Sequence, residues 1–563
     1  MSALNPRQRN DSWAQLGTGT FDVLIVGGGV TGTGAALDAT TRGLRTAVVE
    51  QRDWAAGTSS RSSKLFHGGL RYLEQLNFSL VREALREREL MLSTLAPHLV
   101  RPVSFLYPLR HRGWERPYIG AGMLLYDHLG GARSVPGHRH YTRRGALTLA
   151  PGLDPAALTG ALRYHDAQVD DARHTLTLVR TAAAHGAVAR SSTEVVALHR
   201  DGKRVTGARV RDVETGAVTD VRARVVVNCA GVWSDRVHEL AGGDSPFTVR
   251  ASKGVHITVP REVFRSESGL ILRAGKSVLF FIPWGARWVI GTTDTPWDLD
   301  AAHPAATSAD IAHILHHANS VLTRPLTTDD ILGVYAGLRP LLAQRSGGDT
   351  TALSREHAVA RSQPGLVSVA GGKYTTYRVM AADAIDTAAP DLPGLRPSVT
   401  AMIPILGADG YHALVNRAGR LATDYGLEER LVRALLDRYG SLTGEVLAPA
   451  AGKPGLLAPV PGAEKHLKAE IRYAATHEGA LHIDDVLARR TRVSIECGDR
   501  GTEAAEAVAG LMGDVLGWDA RTRDAEVEAY SERVSAERAA HQLPDDVAAA
   551  TARLRARDSR SVS

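Results

Sequence analysis

Residues 21–32, FDVLIVGGGVTG, constrain the chain more than any other stretch. The apolar run 23–26 reads as a short buried strand. Gly27, Gly29 and Gly32 then give the spacing GxGxxG, and residues 30–42 carry small and apolar side chains at helical spacing. Strand, glycine turn and helix in that order open a dinucleotide-binding unit. Gly27 allows the tight turn, Gly29 removes the side chain that would block a pyrophosphate, and Gly32 lets the helix sit close to the strand. The helix N-terminus then faces the phosphates. A second strand, 46–49, ends in Glu50, where a carboxylate accepts hydrogen bonds from a ribose diol and disfavours a 2′-phosphate. The motif does not by itself separate FAD from NAD.

The stretch TSSRSSKLFHGGLRYLE, residues 58–74, sets hydroxyls, two arginines, a lysine and a histidine around the break Gly68-Gly69. Such a segment can hold a cofactor through Thr58, Ser59 and Ser60 and an anionic substrate on its other side. Two later stretches repeat the strand-to-glycine pattern. Residues 225–229 lead into Ala230-Gly231, and residues 366–370 lead into Gly371-Gly372-Lys373, followed by Thr375 and a helix toward 389. A chain that returns to the first nucleotide loop in this way suits a long flavin cofactor, which selects FAD.

The organisation is discontinuous. The charged pattern over 80–95 predicts a helix that Pro97 and Pro102 help to end. Residues 103–165 are rich in turns, histidine and aromatics and begin a second domain. A helix over 171–185 and strands at 195–198, 205–210 and 225–229 return to the first, and strands at 255–259, 278–282 and 288–290 form a sheet over the cofactor. The FAD-binding domain therefore comprises 20–102, 166–245 and 333–390, and the substrate domain 103–165 and 246–332. A linker (391–408), a helical domain (409–541, with helices over 411–425, 428–439, 464–478 and 524–541) and a flexible tail (542–563) follow.

With 563 residues the chain is long enough for two or three cores. Its 67 basic and 61 acidic residues leave a net charge of +6 with no single basic run. That favours small anions or an anionic membrane surface over nucleic acid. Cys229 and Cys497 are the only cysteines, so no disulfide framework is implied. Neither a signal-peptide pattern nor eighteen uninterrupted apolar residues occur, so a cytoplasmic protein, peripheral at the inner face of the plasma membrane, is expected. The cluster His313, His316 and His317 reads as a solvated helix face, and no metal is called for.

Four stretches, TSSRSSKLFHGGLRYLE, 290–294 (IGTTD), 333–340 (GVYAGLRP) and 371–377 (GGKYTTY), closely resemble the FAD-dependent, respiratory glycerol-3-phosphate dehydrogenases, in the same order. The resemblance implies an α/β fold with α+β insertions: a Rossmann-like FAD-binding domain of the D-amino-acid-oxidase-like class, an antiparallel-sheet substrate domain and a C-terminal helical domain. It implies oxidation of sn-glycerol 3-phosphate to dihydroxyacetone phosphate with electrons passed to a membrane quinone, and a homodimer. An oxidase delivering the electrons to oxygen is the alternative.

The substrate's phosphate needs fixed positive charge and its alcohol a proton acceptor. Arg71 and Arg339 each follow a glycine-containing break, and a guanidinium binds phosphate through a rigid pair of donors. The family places residues matching Arg71, Tyr72, Arg339 and Lys373 in the substrate pocket, and Lys253 is expected beside them. His67 is the first candidate for the general base, since a neutral imidazole is available near pH 7. His256, after Lys253-Gly254, is the reserve.

Overall fold

The computed structural model describes residues 3–74, 76–130, 134–242, 245–275, 277–343 and 357–560. An eight-stranded sheet runs, in spatial order, His357–Gln363, Leu366–Gly371, Val218–Asn228, Thr20–Val26, Thr46–Val49 and Val188–Arg190. The hairpin Thr193–Asp201 and Arg204–Asp212 branches from Val218–Asn228. The inner pairings are parallel, which explains why Thr20–Val26 is apolar at successive positions: both of its faces are covered. Val23, Ile25, Val225 and Val227 join Ala35 and Val179 in one buried cluster. Leu24 and Val226, pointing the other way, join Leu198 and Val210.

A ten-stranded sheet lies beside it. Its order is Thr295–Pro296, Thr248–Pro260, Arg287–Gly291, Ser277–Trp284, Gly269–Ala274, Val100–Leu109, Gly160–Val169 and Leu65–Phe66. Gly333–Ala343 pairs along Thr248–Pro260, and Arg139–Thr142 along Gly160–Val169. The expected domain boundaries shift accordingly. Those at 102/103 and 165/166 fall inside Val100–Leu109 and Gly160–Val169, which pair with each other over their whole length. Gly333–Ala343, expected in the third cofactor segment, pairs antiparallel with Thr248–Pro260 from Gly333 to Ala343. Ladder pairing set these edges, whereas the sequence reading placed them where composition changes.

The C-terminal part is helical, with two corrections in its helices. The stretch 411–425 is broken at Arg417 into Tyr411–Asn416 and Ala418–Tyr425. The stretch 464–478 begins as the strand Ala463–Leu467 and becomes a helix only from Lys468 to His477. There Glu470 accepts a hydrogen bond from the Leu467 N–H at 2.8 Å and fixes the start. A third correction concerns the tail, expected to be flexible. Asp546–Arg553 is a helix capped by Asp545, and beyond it Asp558 pairs with Arg52 at 2.6 Å and Arg560 with Asp485 at 2.6 Å. Charge complementarity, invisible in a local reading, holds the tail down.

The helical domain sits on the first domain through buried ion pairs. The Asp53 carboxylate accepts from Arg489 Nε at 2.5 Å and from Arg490 Nη1 and Nη2 at 2.5 and 2.8 Å. Arg173, on the helix Asp171–Ala184, pairs with Glu478 and lies 4.7 Å over the Tyr439 ring. Removing one partner of such a pair strands a buried charge, at about 3–5 kcal/mol.

His482 joins the same seam. Its ring contacts Glu526 at 2.7 Å through Nδ1 and Glu214 at 3.2 Å through Nε2. Burial and the Arg560 cation disfavour the imidazolium, but Glu214 and Glu526 outweigh them and raise the pKa to about 9. The unfolded chain titrates this group near about 6.5. Because the folded pKa is the higher one, the stabilisation is complete below the unfolded pKa and disappears as pH rises through the folded value, a span of about 3 kcal/mol. Thermal unfolding at closely spaced pH values should therefore show stability falling from pH 6.5 to 9.5, and His482→Gln should flatten that limb of the profile.

Candidate active site

The glycine turn forms as its residue types require. Gly27 has φ 113°, in the region that disfavours side chains, and a Cβ there would lie 2.6 Å from the Cys229 carbonyl oxygen. A Cβ on Gly32 would come within 1.9 Å of the Gly27 carbonyl oxygen, so only glycine lets the helix Val30–Thr41 follow the strand this closely. Ser59 Oγ accepts the Val30 N–H at 2.9 Å and fastens the segment 58–74 to the helix start. Glu50 is preset by two backbone donors, the N–H of Gly28 at 2.6 Å and of Arg52 at 2.7 Å. Burial raises its pKa, and those two hydrogen bonds work against the rise. Burial also pushes the Cys229 thiol up to about 12, which leaves it a neutral wall beneath the turn.

From this turn a cavity of about 760 Å³ runs between the two sheets. It is lined at one end by Gly27, Gly29, Glu50, Thr58, Ser59 and Gly231, and at the other by His67, Tyr72, His256, Arg339 and Lys373, with Gly371, Gly372 and Thr375 also on its wall. A glycine cradle at a helix N-terminus, a preset carboxylate and a long cleft together fit a flavin dinucleotide: Gly29 and the helix start would hold its pyrophosphate and Glu50 its ribose.

The far end is built by cross-strand register. Gly254 lies opposite Gly337 and His256 opposite Tyr335, and Arg339 follows two residues on from Gly337. Arg339 Nη2 donates to Thr292 Oγ1 at 2.9 Å and to the Thr293 carbonyl at 3.2 Å, with Asp294 Oδ1 3.5 Å from Nη1. Lys373 Nζ lies 3.5 Å from the Tyr72 ring centroid, a cation–π contact seated against Gly69, whose φ is 79°. Cations and aromatic face thus converge on one end of the cavity.

The two histidines differ in setting. His67 is half-buried, and Thr375 Oγ1 holds both its backbone N–H and its carbonyl, each at 3.2 Å. The following Gly68 N–H donates to the Tyr126 hydroxyl at 2.8 Å. That hydroxyl donates to Asp166 at 2.6 Å, which Arg88 also holds at 2.8 Å. His256 is buried, shares a 2.9 Å hydrogen bond with Ser63 Oγ and stacks on Tyr335 at 4.8 Å. Burial, Arg339 and Lys64 together hold its pKa well below the ordinary value, so it stays neutral through the working pH range.

Two expected site residues lie elsewhere. Lys253 alternates with Gly254 along its strand and so faces away from the cavity; its ammonium pairs with Asp310 at 2.6 Å and with Asp546 of the tail. Ser60 does not line this cavity, and its carbonyl accepts from Lys64 Nζ at 3.2 Å and from Arg492 Nη1 at 3.0 Å. The side chain of Arg71 lies outside the described residues. Ser63, Thr292 and Phe280, whose ring centroid is 6.2 Å from that of His67, complete the site without having been expected there. Ser63 and Thr292 could have been found from their places in the segments 58–74 and 290–294, whereas Phe280 depends on pairing across the second sheet.

Comparison with known proteins agrees with this arrangement. The family model "FAD dependent oxidoreductase" matches residues 22–378, and "C-terminal domain of alpha-glycerophosphate oxidase" matches residues 398–523. The chain is 60% identical over 561 residues to a glycerol-3-phosphate dehydrogenase of Mycobacterium leprae, covering 100% of this chain and 96% of that protein. It is 37% identical over 535 residues to the mitochondrial glycerol-3-phosphate dehydrogenase of Homo sapiens, covering 91% of this chain and 72% of that one. Among solved structures, the glycerol-3-phosphate dehydrogenase of Bacillus halodurans complexed with FAD aligns with a TM-score of 0.79 at 29% identity, over 95% of this chain and 98% of that one.

The crowding at Gly32 yields a direct expectation. Gly32→Ala should give protein that retains little flavin after desalting and melts at a lower temperature, whereas the parent carries one non-covalently held FAD per chain, read from the visible absorbance and the mass of the released cofactor.

Proposed function

The chain belongs to the FAD-dependent oxidoreductases, in the glycerol-3-phosphate dehydrogenase family, and from that premise we propose that its cavity oxidises sn-glycerol 3-phosphate to dihydroxyacetone phosphate. The observation that carries this reading is the convergence of Arg339, Lys373, Tyr72 and two histidines on one end of a cavity whose other end is a dinucleotide cradle. FAD supplies the acceptor for the electron pair leaving the substrate carbon. Arg339 and Lys373 bind the phosphate, and their positive charge also favours a developing alkoxide over the neutral alcohol.

His67 takes the hydroxyl proton. Its half-buried ring can pass that proton on to solvent, whereas a protonated His256 would be opposed by burial and by the Arg339 and Lys64 charges. His256 instead serves as a neutral hydrogen-bonding wall, oriented by Ser63. Rapid mixing of flavin-loaded enzyme with glycerol 3-phosphate under anaerobic conditions tests both roles. His67→Gln should slow flavin bleaching by about a hundredfold to ten-thousandfold. Arg339→Gln should raise the half-saturating substrate concentration about tenfold to a hundredfold, since a charge-assisted hydrogen bond contributes about 1.5–3 kcal/mol. A bleaching rate unchanged in His67→Gln but lost in His256→Gln would move the base to His256.

The electrons pass to a quinone at an anionic membrane surface. This part of the reading is supported by exposed apolar side chains beside the cavity mouth: Leu76 is 73% exposed, Trp114 59% and Leu124 64%, with Phe78 and Tyr118 also exposed. Leu76, Phe78 and Tyr118 also line the cavity, and Arg110 and Arg112 stand exposed beside Trp114. Among the described residues no helix is long and apolar enough to cross a membrane. Contact would be peripheral, with rings and leucines in the interface and basic residues at the headgroups. The reduced enzyme should be reoxidised much faster by a soluble quinone than by oxygen. Anionic vesicles should retain the parent at low salt but release Trp114→Ser/Leu124→Ser. Oxygen matching quinone in stopped-flow would instead favour an oxidase, the activity in the name of the C-terminal family model.

A further inference from the structure

A second cavity, of about 120 Å³, lies where the tail and the helical domain meet the segment 58–74. Its wall carries eight arginines against four carboxylates, Asp484, Glu526, Glu537 and Asp558. Most of the cations are matched. Arg489 and Arg492 reach Asp53 and Asp170 behind the wall, Arg560 reaches Asp485, Arg52 holds Asp558, and Arg533 and Arg553 share Glu537.

Arg61 is the exception. Among the described residues its guanidinium has no carboxylate at ion-pair distance and only one hydrogen bond, a long 3.4 Å contact from Nη1 to the Ala302 carbonyl. Its backbone lines the substrate cavity, where a Cβ on Gly337 would meet it at 2.7 Å, yet the charges its head group feels are Arg489, Glu537, Asp484 and Arg533, all on the second cavity. Burial and then the Arg489 charge lower its pKa to about 10, and the more distant carboxylates of Glu537 and Asp484 offset this only in part. Arg557, on the wall at the exposed rim, adds a second cation with no carboxylate partner at ion-pair distance among the described residues.

We propose that this seam cavity is a second anion site, which takes a small tetrahedral oxyanion of the phosphate class on Arg61, with Arg533, Arg553 and Arg557 around it. A guanidinium fork suits that geometry, and at about 30 Å³ per water molecule the space admits the anion with one or two waters. The bound anion supplies the missing negative charge between the tail helix Asp546–Arg553 and the loop that carries Ser59 and Ser60. It therefore ties tail docking to the cofactor cradle. The site is separate from the one that binds the substrate's phosphate, and its occupancy stands or falls independently of the activity proposed above.

Inorganic phosphate is the probe. Full-length, FAD-loaded protein is titrated calorimetrically with phosphate at constant ionic strength, with and without saturating dihydroxyacetone phosphate to fill the substrate cavity. Hydrogen exchange over 546–560 is followed in parallel. One phosphate per chain should still bind with the substrate cavity filled, and exchange over 546–560 should slow on binding. Arg61→Gln should weaken that binding at least tenfold, Arg61→Lys should restore part of it, and Arg339→Gln should leave it intact. If no phosphate binds to the parent once the substrate cavity is filled, or if binding survives in Arg61→Gln or disappears in Arg339→Gln, the seam site is refuted. Should Arg61→Gln fail to hold FAD, the parent's own stoichiometry and exchange response decide the matter.

Discussion

The buried carboxylate of Asp171 is the point on which the rest of the site depends. It accepts from the Ser62 N–H at 2.9 Å and the Ser62 hydroxyl at 2.7 Å, from Lys64 Nζ at 2.9 Å, and from Arg492 of the helical domain. One residue therefore begins the helix Asp171–Ala184, shapes the loop that carries Ser63 toward His256, and receives the C-terminal domain. Lys64 adopts a left-handed backbone, φ 57°, which sends its ammonium inward to Asp171 and under the rings of Trp284 and Tyr335. A buried cation in that position is affordable only because the carboxylate meets it. Without Asp171 the loop would have no reason to hold this strained path.

Both ends of the cavity are electrostatically prepared, in opposite senses. At the cradle, backbone N–H groups and a helix start offer partial positive charge, and Glu50 is held in place as an acceptor by two further N–H groups. At the other end the positive charge is carried by whole side chains: Arg339 is held by the oxygens of Thr292 and Thr293 with Asp294 3.5 Å away, and Lys373 lies over the face of Tyr72. These contacts fix the two cations in place at the end of the cavity where an anion would arrive. Burial first, and then the Arg339 and Lys64 charges, keep His256 unprotonated, so one of the cations assigned to the phosphate also helps to separate the two histidines.

Much of this could be read from the sequence where the determinant is local. The roles of Gly27 and Gly32 follow from what a Cβ would strike, and the residues responsible lie within a few positions along the chain or at the end of the adjacent strand. Glu50 and the late turn Gly371-Gly372 were legible for the same reason, with φ of 73° and 84° at the two glycines. Lys253 was misplaced because the face a strand residue occupies is decided by register, and the register here is set by Gly333–Ala343, far along the chain. Ser60 was misplaced because a short 3₁₀ turn, Thr58–Ser60, points consecutive residues in different directions. The folded tail could not be anticipated at all: Asp558 and Arg560 look like solvated charges until Arg52, Asp485 and His303 are brought to them.

That tail bears on how the molecule is made. Arg52 stands two residues beyond Glu50, yet its partner Asp558 is synthesised some 500 positions later, at a sequence separation of 506. Lys253 meets Asp310 within its own domain and gains its second carboxylate, Asp546, only 293 residues on. A ribosome-bound chain can pair most of its two sheets while Arg52 still lacks Asp558, and domains do fold as units in the order they emerge. A cradle already shaped for its cofactor is then edged by an arginine whose carboxylate partner comes only with the tail. Completion of that edge belongs to the last residues made, through Asp558 on Arg52 and Arg560 on Asp485.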